Sequence, residues 1–137
     1  EDLSFKPHEK SMSLGNLAGH IVELHNWVSD ALTKNDFNLA TDYKPFHPSS
    51  VEELKKSLDE GYKRNEKTLD EFPEEDWFSK WTMRVDTYVV GEMPKLGALR
   101  FVINNHLIHH RGQLSVYLRL LDIPVPGLYG PSADEKK

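Results

Sequence analysis

The sequence predicts an all-α protein built as an antiparallel helical bundle, with all 137 residues in a single domain. Two segments carry apolar residues at alternating steps of three and four, the spacing that places them on one face of a bundle helix. A composition of 38% hydrophobic and 28% charged residues suits a globular chain. The absence of cysteine excludes a disulfide framework and a thiolate metal site.

The first predicted helix begins after Ser13, a good capping residue, and ends near Lys34 and Asn35. Its apolar stripe consists of Leu14, Leu17, Ile21, Leu24, Val28 and Ala31. Because this stripe is regular, we expect one face of the helix to pack along its whole length.

The second predicted helix follows a proline-containing connection and begins at Ser50, which forms a capping box with Glu53. Phe72 and Pro73 end this helix. Its apolar stripe is thinner and consists of Val51, Leu54, Leu58, Tyr62 and Leu69.

Residues 79–91 alternate between apolar and polar side chains, a pattern typical of a strand. An isolated strand has no pairing partner, so we predict an extended crossover or a small hairpin rather than a sheet.

The third predicted helix is the longest and runs from Pro94 to about Leu121, about 28 residues or about 42 Å. Its bundle face comprises Leu96, Leu99, Ile103, His106, His110, Gln113, Tyr117 and Leu120. Three polar side chains interrupt this apolar seam, and burying each one without a partner would cost about 1–3 kcal/mol. These side chains must therefore have partners.

Two explanations of the histidines fit this pattern, a hydrogen-bonded pair in the core or a metal site. His106 and His110 lie one turn apart on one face, and His20 flanks the core stripe of the first helix. If the helices face each other, three imidazoles form a tripod that leaves coordination positions open, as in a reactive site. Imidazole ligands suit zinc, nickel, copper or iron rather than magnesium or calcium.

Other polar residues are candidates for supporting roles. Gln113 could bond a histidine or another helix, and Asn16 could orient His20 or cap its helix. Tyr117 could shape a pocket, and His25 could lie outside the ligands or at the surface. We expect the remaining histidines to lie at the surface or at a helix edge: His8, His47 and His109.

Several function classes lack their sequence signals. The net charge is −5 and no basic block offsets it, so nucleic acid is not an expected partner. No apolar run of about 18 residues and no signal peptide are visible, so we expect a cytoplasmic protein without a membrane-spanning segment. No glutamate follows His106 directly, so the zinc-protease signature is absent.

Three segments carry a resemblance to a known family. Residues 5–20 end in Leu17-Ala18-Gly19-His20, and residues 124–132 form a tail rich in proline and glycine. Residues 105–114 contain His106-Leu107-Ile108-His109-His110-Arg111-Gly112-Gln113. In combination, over nearly the whole chain, these segments resemble the DinB-like superfamily, whose members include bacillithiol and mycothiol S-transferases.

The resemblance implies a four-helix bundle with a long crossover, often assembled as a homodimer. It implies that His20, His106 and His110 are metal ligands, which in this family usually hold zinc or nickel. It also places the first bundle helix upstream of Leu3. We therefore expect one metal-binding domain over residues 1–137 that is incomplete at its N-terminus or completed by a partner.

Two functions follow as hypotheses. The first is a metal-dependent transferase that moves a low-molecular-weight thiol onto a small electrophile, with Gln113 or Tyr117 shaping the pocket. The second is a non-catalytic, stress-linked metal-binding or ligand-sensing protein. A cleft that reaches the open metal position would favour the first, and a site closed by protein groups would favour the second.

Overall fold

Helices account for most of the fold in the computed structural model, which describes residues 2–135. Helix α1 spans Leu14–Thr33 and helix α2 spans Val51–Asp70. The last helical stretch has three consecutive parts, namely α3 (Lys95–Gly97), a π-helical segment (Ala98–Asn104) and α4 (Asn105–Leu120). A 3-10 helix and three strands complete the described elements: Glu74–Phe78, β1 (Asp36–Asn38), β2 (Lys80–Val85) and β3 (Tyr88–Pro94).

Helix α1 forms as its stripe predicts. The Ser13 side chain accepts a hydrogen bond from the Asn16 amide and caps the first turn. The stripe residues Leu14, Leu17, Leu24 and Ala31 are buried, whereas Ile21 and Val28 are half-buried. Burying each leucine contributes about 1.5–3 kcal/mol, so this face anchors the helix in the core.

Helix α2 begins and ends where predicted, but the prediction of its core face was wrong. Most of the predicted stripe is exposed, with fractions of 40% or more at Val51, Leu58, Tyr62 and Leu69. A polar face packs on α1 instead, because Asn65 hydrogen-bonds to Ser29 and there is little room between the helices. A Cβ added at Gly61 would lie 1.6 Å from the Asn26 Oδ1, so a larger residue there would have to displace the Asn26 side chain.

A three-stranded sheet corrects the all-α prediction. The predicted hairpin forms, over residues 80–94, but it belongs to a sheet, which the prediction had excluded. Strands β2 and β3 form an antiparallel hairpin, with Asp86 at a φ of 51° in the turn. Strand β1 pairs in parallel with β2 and places Phe37 beside Met83. The hairpin therefore has a pairing partner from the α1–α2 connection, and the fold is mostly helical rather than all-α.

The last helical stretch has the predicted extent, but it is not one regular α-helix. The π-helical segment changes the angular spacing of the residues before and after it. As a result only part of the predicted seam is buried. Ile103, His110 and Tyr117 are buried, whereas Leu96 and Leu120 are 46% and 56% exposed.

Two core clusters bracket the middle of the antiparallel pair formed by α1 and α4. In one cluster, Leu14 and Leu17 pack with Tyr117. In the other, Ala31 packs with Ile103 and the sheet residues Phe37 and Trp81. The residues between these clusters on the two helices include all three candidate metal ligands.

Within residues 2–135, none of the helices combines the length and the apolar character that a membrane-spanning helix needs.

Candidate metal centre

The structure brings together the three histidines that the sequence singled out. One ring nitrogen from each of His20, His106 and His110 lies within 4.8 Å of the others. The ring centroids are 5.1 Å apart for His20–His106, 4.9 Å for His20–His110 and 4.6 Å for His106–His110. Small side-chain rotations would place each of these nitrogens about 2.0–2.1 Å from one central zinc ion, the usual Zn–N distance. The cluster could therefore hold a metal ion.

Each of these imidazoles also has a hydrogen-bond acceptor on its outer side. The Nδ1 of His20 lies 2.8 Å from a Glu23 carboxylate oxygen, and the Nδ1 of His110 lies 2.7 Å from the Gln113 side-chain oxygen. His106 bonds to the backbone of Val102. Since an acceptor takes the N–H of each ring, the other nitrogen of His20 and of His110 keeps its lone pair for a ligand role.

The surroundings favour neutral imidazole. Burial, together with repulsion from His110 and His20, lowers the pKa of His106 to about 4. Burial also lowers the pKa of His110, against the opposing effect of its bond to Gln113. Because only neutral imidazole coordinates a metal, His106 and His110 are ready to act as ligands at neutral pH.

Glu23 is a site residue that the sequence reasoning missed. The residue is 7% exposed, and besides the bond with His20 its side chain accepts hydrogen bonds from the Tyr43 hydroxyl, at 3.0 Å, and from the Phe46 amide. Burial and the neighbouring Glu23 raise the pKa of Tyr43 to about 12, so its hydroxyl remains a donor. The only signal in the sequence is that Glu23 follows His20 at i+3, on the same side of the helix.

The remaining histidines lie outside the cluster. His8, His47 and His109 are exposed, as expected. His25 is half-buried beside Asn65, and burial lowers its pKa with a smaller contribution from Arg64.

Among the supporting candidates Asn16, Tyr117 and Gln113, the first two have structural roles. The Asn16 backbone amide bonds the capping Ser13, and its side-chain oxygen lies 3.0 Å from the His47 ring, so Asn16 does not orient His20. Tyr117 packs in the core and donates its hydroxyl to the Met12 carbonyl. Gln113, which holds His110, is therefore the candidate with a role at the site.

An apolar cleft of about 520 Å³ opens beside His106. Its volume lies within the range usual for small-molecule sites, roughly 300–1,000 Å³. No charged residue lines it; the lining consists of Trp27, Leu39, Met83, Phe101, Val102, Asn105 and His106. A ligand in this cleft would touch one of the three histidines directly.

The mostly helical fold and the histidine cluster define the class of this protein, a helical domain with a candidate three-histidine metal centre. The chain belongs to the DinB family, whose match extends over residues 1–137.

Two solved structures share this fold. A DinB-like protein from Bacillus cereus is 26% identical, with a TM-score of 0.68, and the match covers 93% of this chain and 81% of that one. A DinB-like protein from Bacillus subtilis is 22% identical, with a TM-score of 0.67, and the match covers 95% of this chain and 82% of that one. At this identity the similarity supports the fold alone.

A further relative is known from its sequence. The uncharacterized protein YrdA of Bacillus subtilis is 42% identical over 48 residues, which is 35% of this chain. The matched segment spans 28% of that protein's length.

Proposed function

We propose that His20, His106 and His110 bind one divalent transition metal, zinc or nickel, and that the protein is a metal-dependent thiol S-transferase. The observation that carries the proposal is the convergence of three imidazoles from two helices next to an apolar cleft. Three protein ligands leave coordination positions for a reactant, which is typical of catalytic rather than structural sites.

The donor set fits a thiol reaction. Three neutral imidazoles leave the full charge of a divalent ion on the site, which favours an anionic reactant. When bound, the ion would lower the pKa of a coordinated thiol and so supply a thiolate near neutral pH. Glu23 and Gln113 hold the rings of His20 and His110 in place, which limits the reorganisation needed for binding.

The cleft supports a small, uncharged electrophile as the second reactant. Trp27, Met83 and Phe101 offer apolar surface to a substrate, and no charge in the lining would bind an ionic one. Transfer would form a bond between the thiol sulfur and an electrophilic carbon of the substrate and break the bond from that carbon to its leaving group, such as a halide, which departs as an anion. The thiol proton would pass to water.

The test is turnover of 1-chloro-2,4-dinitrobenzene and monobromobimane with bacillithiol, mycothiol, glutathione and cysteine. Metal-loaded protein should accelerate at least one pairing at least 100-fold over the metal-stripped protein. His106→Ala should lose this rate, whereas the exposed His8→Ala should keep it. If no pairing is accelerated by protein that demonstrably holds metal, the transferase proposal is wrong.

A non-catalytic, metal-binding role is the second candidate, and one observation favours it. The cluster lies between the two core clusters on α1 and α4, so an ion would cross-link these helices. Metal binding would then stabilise the fold by mass action. A large rise in Tm on zinc addition, without turnover of any electrophile, would support this role over the transferase.

A further inference from the structure

One buried carboxylate joins the candidate metal centre to the connection between α1 and α2. The Glu23 side chain accepts hydrogen bonds from His20 on its own helix and from Tyr43 and Phe46 on the connection. It is 7% exposed, so water competes little for its oxygens. The same oxygen, Oε2, serves His20 and Tyr43, and Oε1 serves the Phe46 amide.

All three partners of Glu23 are donors, and this restricts the residue that can occupy the position. A carboxylate has acceptor capacity on both oxygens, whereas a glutamine has one oxygen and an NH₂ group. In either orientation of a glutamine at residue 23, the NH₂ group would face at least one donor. That donor would lose its acceptor and would face another donor instead. A buried donor left without an acceptor costs about 1–3 kcal/mol.

We propose that Glu23 is a positioning residue that couples metal binding at the three histidines to the order of residues 43–46. It holds the Nδ1–H of His20 and thereby directs the other ring nitrogen toward His106 and His110. A metal ion bound to that nitrogen makes the Nδ1–H a stronger hydrogen-bond donor to the Glu23 carboxylate. The carboxylate is then held more firmly, and so are the two donors that it binds on the connection, Tyr43 and Phe46. Coupling of this kind is reciprocal, so an ordered connection raises the affinity for metal by the same factor.

The coupled segment also borders the site. Tyr43, Pro45 and Phe46 line a small pocket of about 80 Å³ on the side of His20 that bears Glu23. The order of residues 43–46 therefore sets the shape of the space beside one ligand. This inference rests on the proposed metal site and not on the transferase activity.

The first measurement is zinc affinity by competition with a chromophoric chelator. Glu23→Gln should weaken binding by about 10–100-fold, the usual effect of losing a hydrogen-bond partner of a ligand histidine. Tyr43→Phe keeps the bond to His20 and removes one donor of the connection, so we expect a loss of a few-fold. Glu53→Gln is the matched control and should change affinity less than twofold, because Glu53 holds Ser49 at an exposed position of the same connection and lies outside the cluster.

The second measurement is hydrogen exchange at the Phe46 amide with and without zinc. Zinc should slow this exchange at least tenfold in the wild-type protein and in Glu53→Gln, and should have little effect in Glu23→Gln. If Glu23→Gln does not fold, as circular dichroism would show, the Tyr43→Phe affinity and exchange data decide the question. Wild-type affinity in that variant, with full zinc protection of Phe46, would then overturn the proposal.

The remaining outcomes separate this inference from the proposed activity. Wild-type zinc affinity in folded Glu23→Gln, or exchange at Phe46 that zinc does not change, overturns the coupling. Zinc binding with the expected coupling but without turnover overturns the transferase alone. Failure of the wild-type protein to bind zinc or nickel overturns both.

Discussion

Replacement of Asn65 by alanine should lower the free energy of unfolding by about 2–4 kcal/mol, because this side chain makes three hydrogen bonds between α1 and α2. Asn65 is 5% exposed. Its Oδ1 accepts from the Ser29 hydroxyl at 2.6 Å and from the Ser29 amide at 3.2 Å. Its Nδ2 donates to the His25 carbonyl at 2.7 Å.

The magnitude follows from these three hydrogen bonds. Each contributes about 0.5–1.5 kcal/mol net, and a buried group left without a partner costs about 1–3 kcal/mol. The loss stays below the full sum, because the Ser29 amide and the His25 carbonyl lie four residues apart within α1 and are hydrogen-bond partners in the helix itself. The Ser29 hydroxyl also keeps its bond from Thr68, 3.1 Å away. The net expectation is therefore about 2–4 kcal/mol rather than the full sum.

Urea-induced unfolding followed by circular dichroism measures this change. Glu66→Ala is the control, since Glu66 is the next residue along α2 and is exposed. Asn65→Asp should also destabilise, because it keeps the acceptor for Ser29 but loses the donor to His25. If Asn65→Ala unfolds within about 0.5 kcal/mol of the control, with the same m-value, the contact does not hold the two helices together.

Three further predictions concern the candidate centre and the core. The pKa of His106 is about 4 in the folded chain against a reference of 6.5, so the unfolded chain binds more protons between these values. Stability of the metal-free protein should thus be intact above pH 6.5 and fall by about 2 kcal/mol toward pH 4, allowing for partial exposure; a flat profile from denaturant titrations would contradict this. His110→Ala should reduce bound zinc or nickel from one ion per chain to near zero, as measured by elemental analysis, while His8→Ala should retain the ion. Equal metal contents in the two variants would show that His110 is not a metal ligand. Leu24→Ala, at a residue that is 0% exposed, should cost about 2–5 kcal/mol in the same unfolding assay, and a cost below 1 kcal/mol would mean that the site collapses to fill the cavity.

The sequence predicted best those parts of the fold that carry a local periodic signal. Helix α1 has a stripe that repeats over five turns, and its residues are buried accordingly. Helix α2 has the caps of a helix but no reliable core signal, because its packed face relies on Gly61 and Asn65. Strand β1 is three residues long and pairs with residues more than 40 positions away, so nothing in its neighbourhood indicates a sheet.

The same distinction applies to the candidate site, where residues on regular helix faces were predictable and residues in the connection were not. His106 and His110 share a helix face, and His20 flanks the regular stripe of α1, so spacing alone suggested that they could meet. The partners of Glu23 could not be predicted in this way. Tyr43 and Phe46 lie in an irregular connection whose path is set by the sheet and the loop, not by a repeat.

The π-helical segment Ala98–Asn104 has a consequence for which changes in chain length the protein tolerates. An α-helix turns by about 100° per residue, so one further residue that extends the helix within the segment would rotate His106 and His110 by roughly that angle relative to the buried Ala98. The histidines would then point away from His20, while the composition of the helix remained almost unchanged. Insertions in this segment are therefore poorly tolerated, and related chains that keep all three histidines should differ there by substitution rather than by insertion.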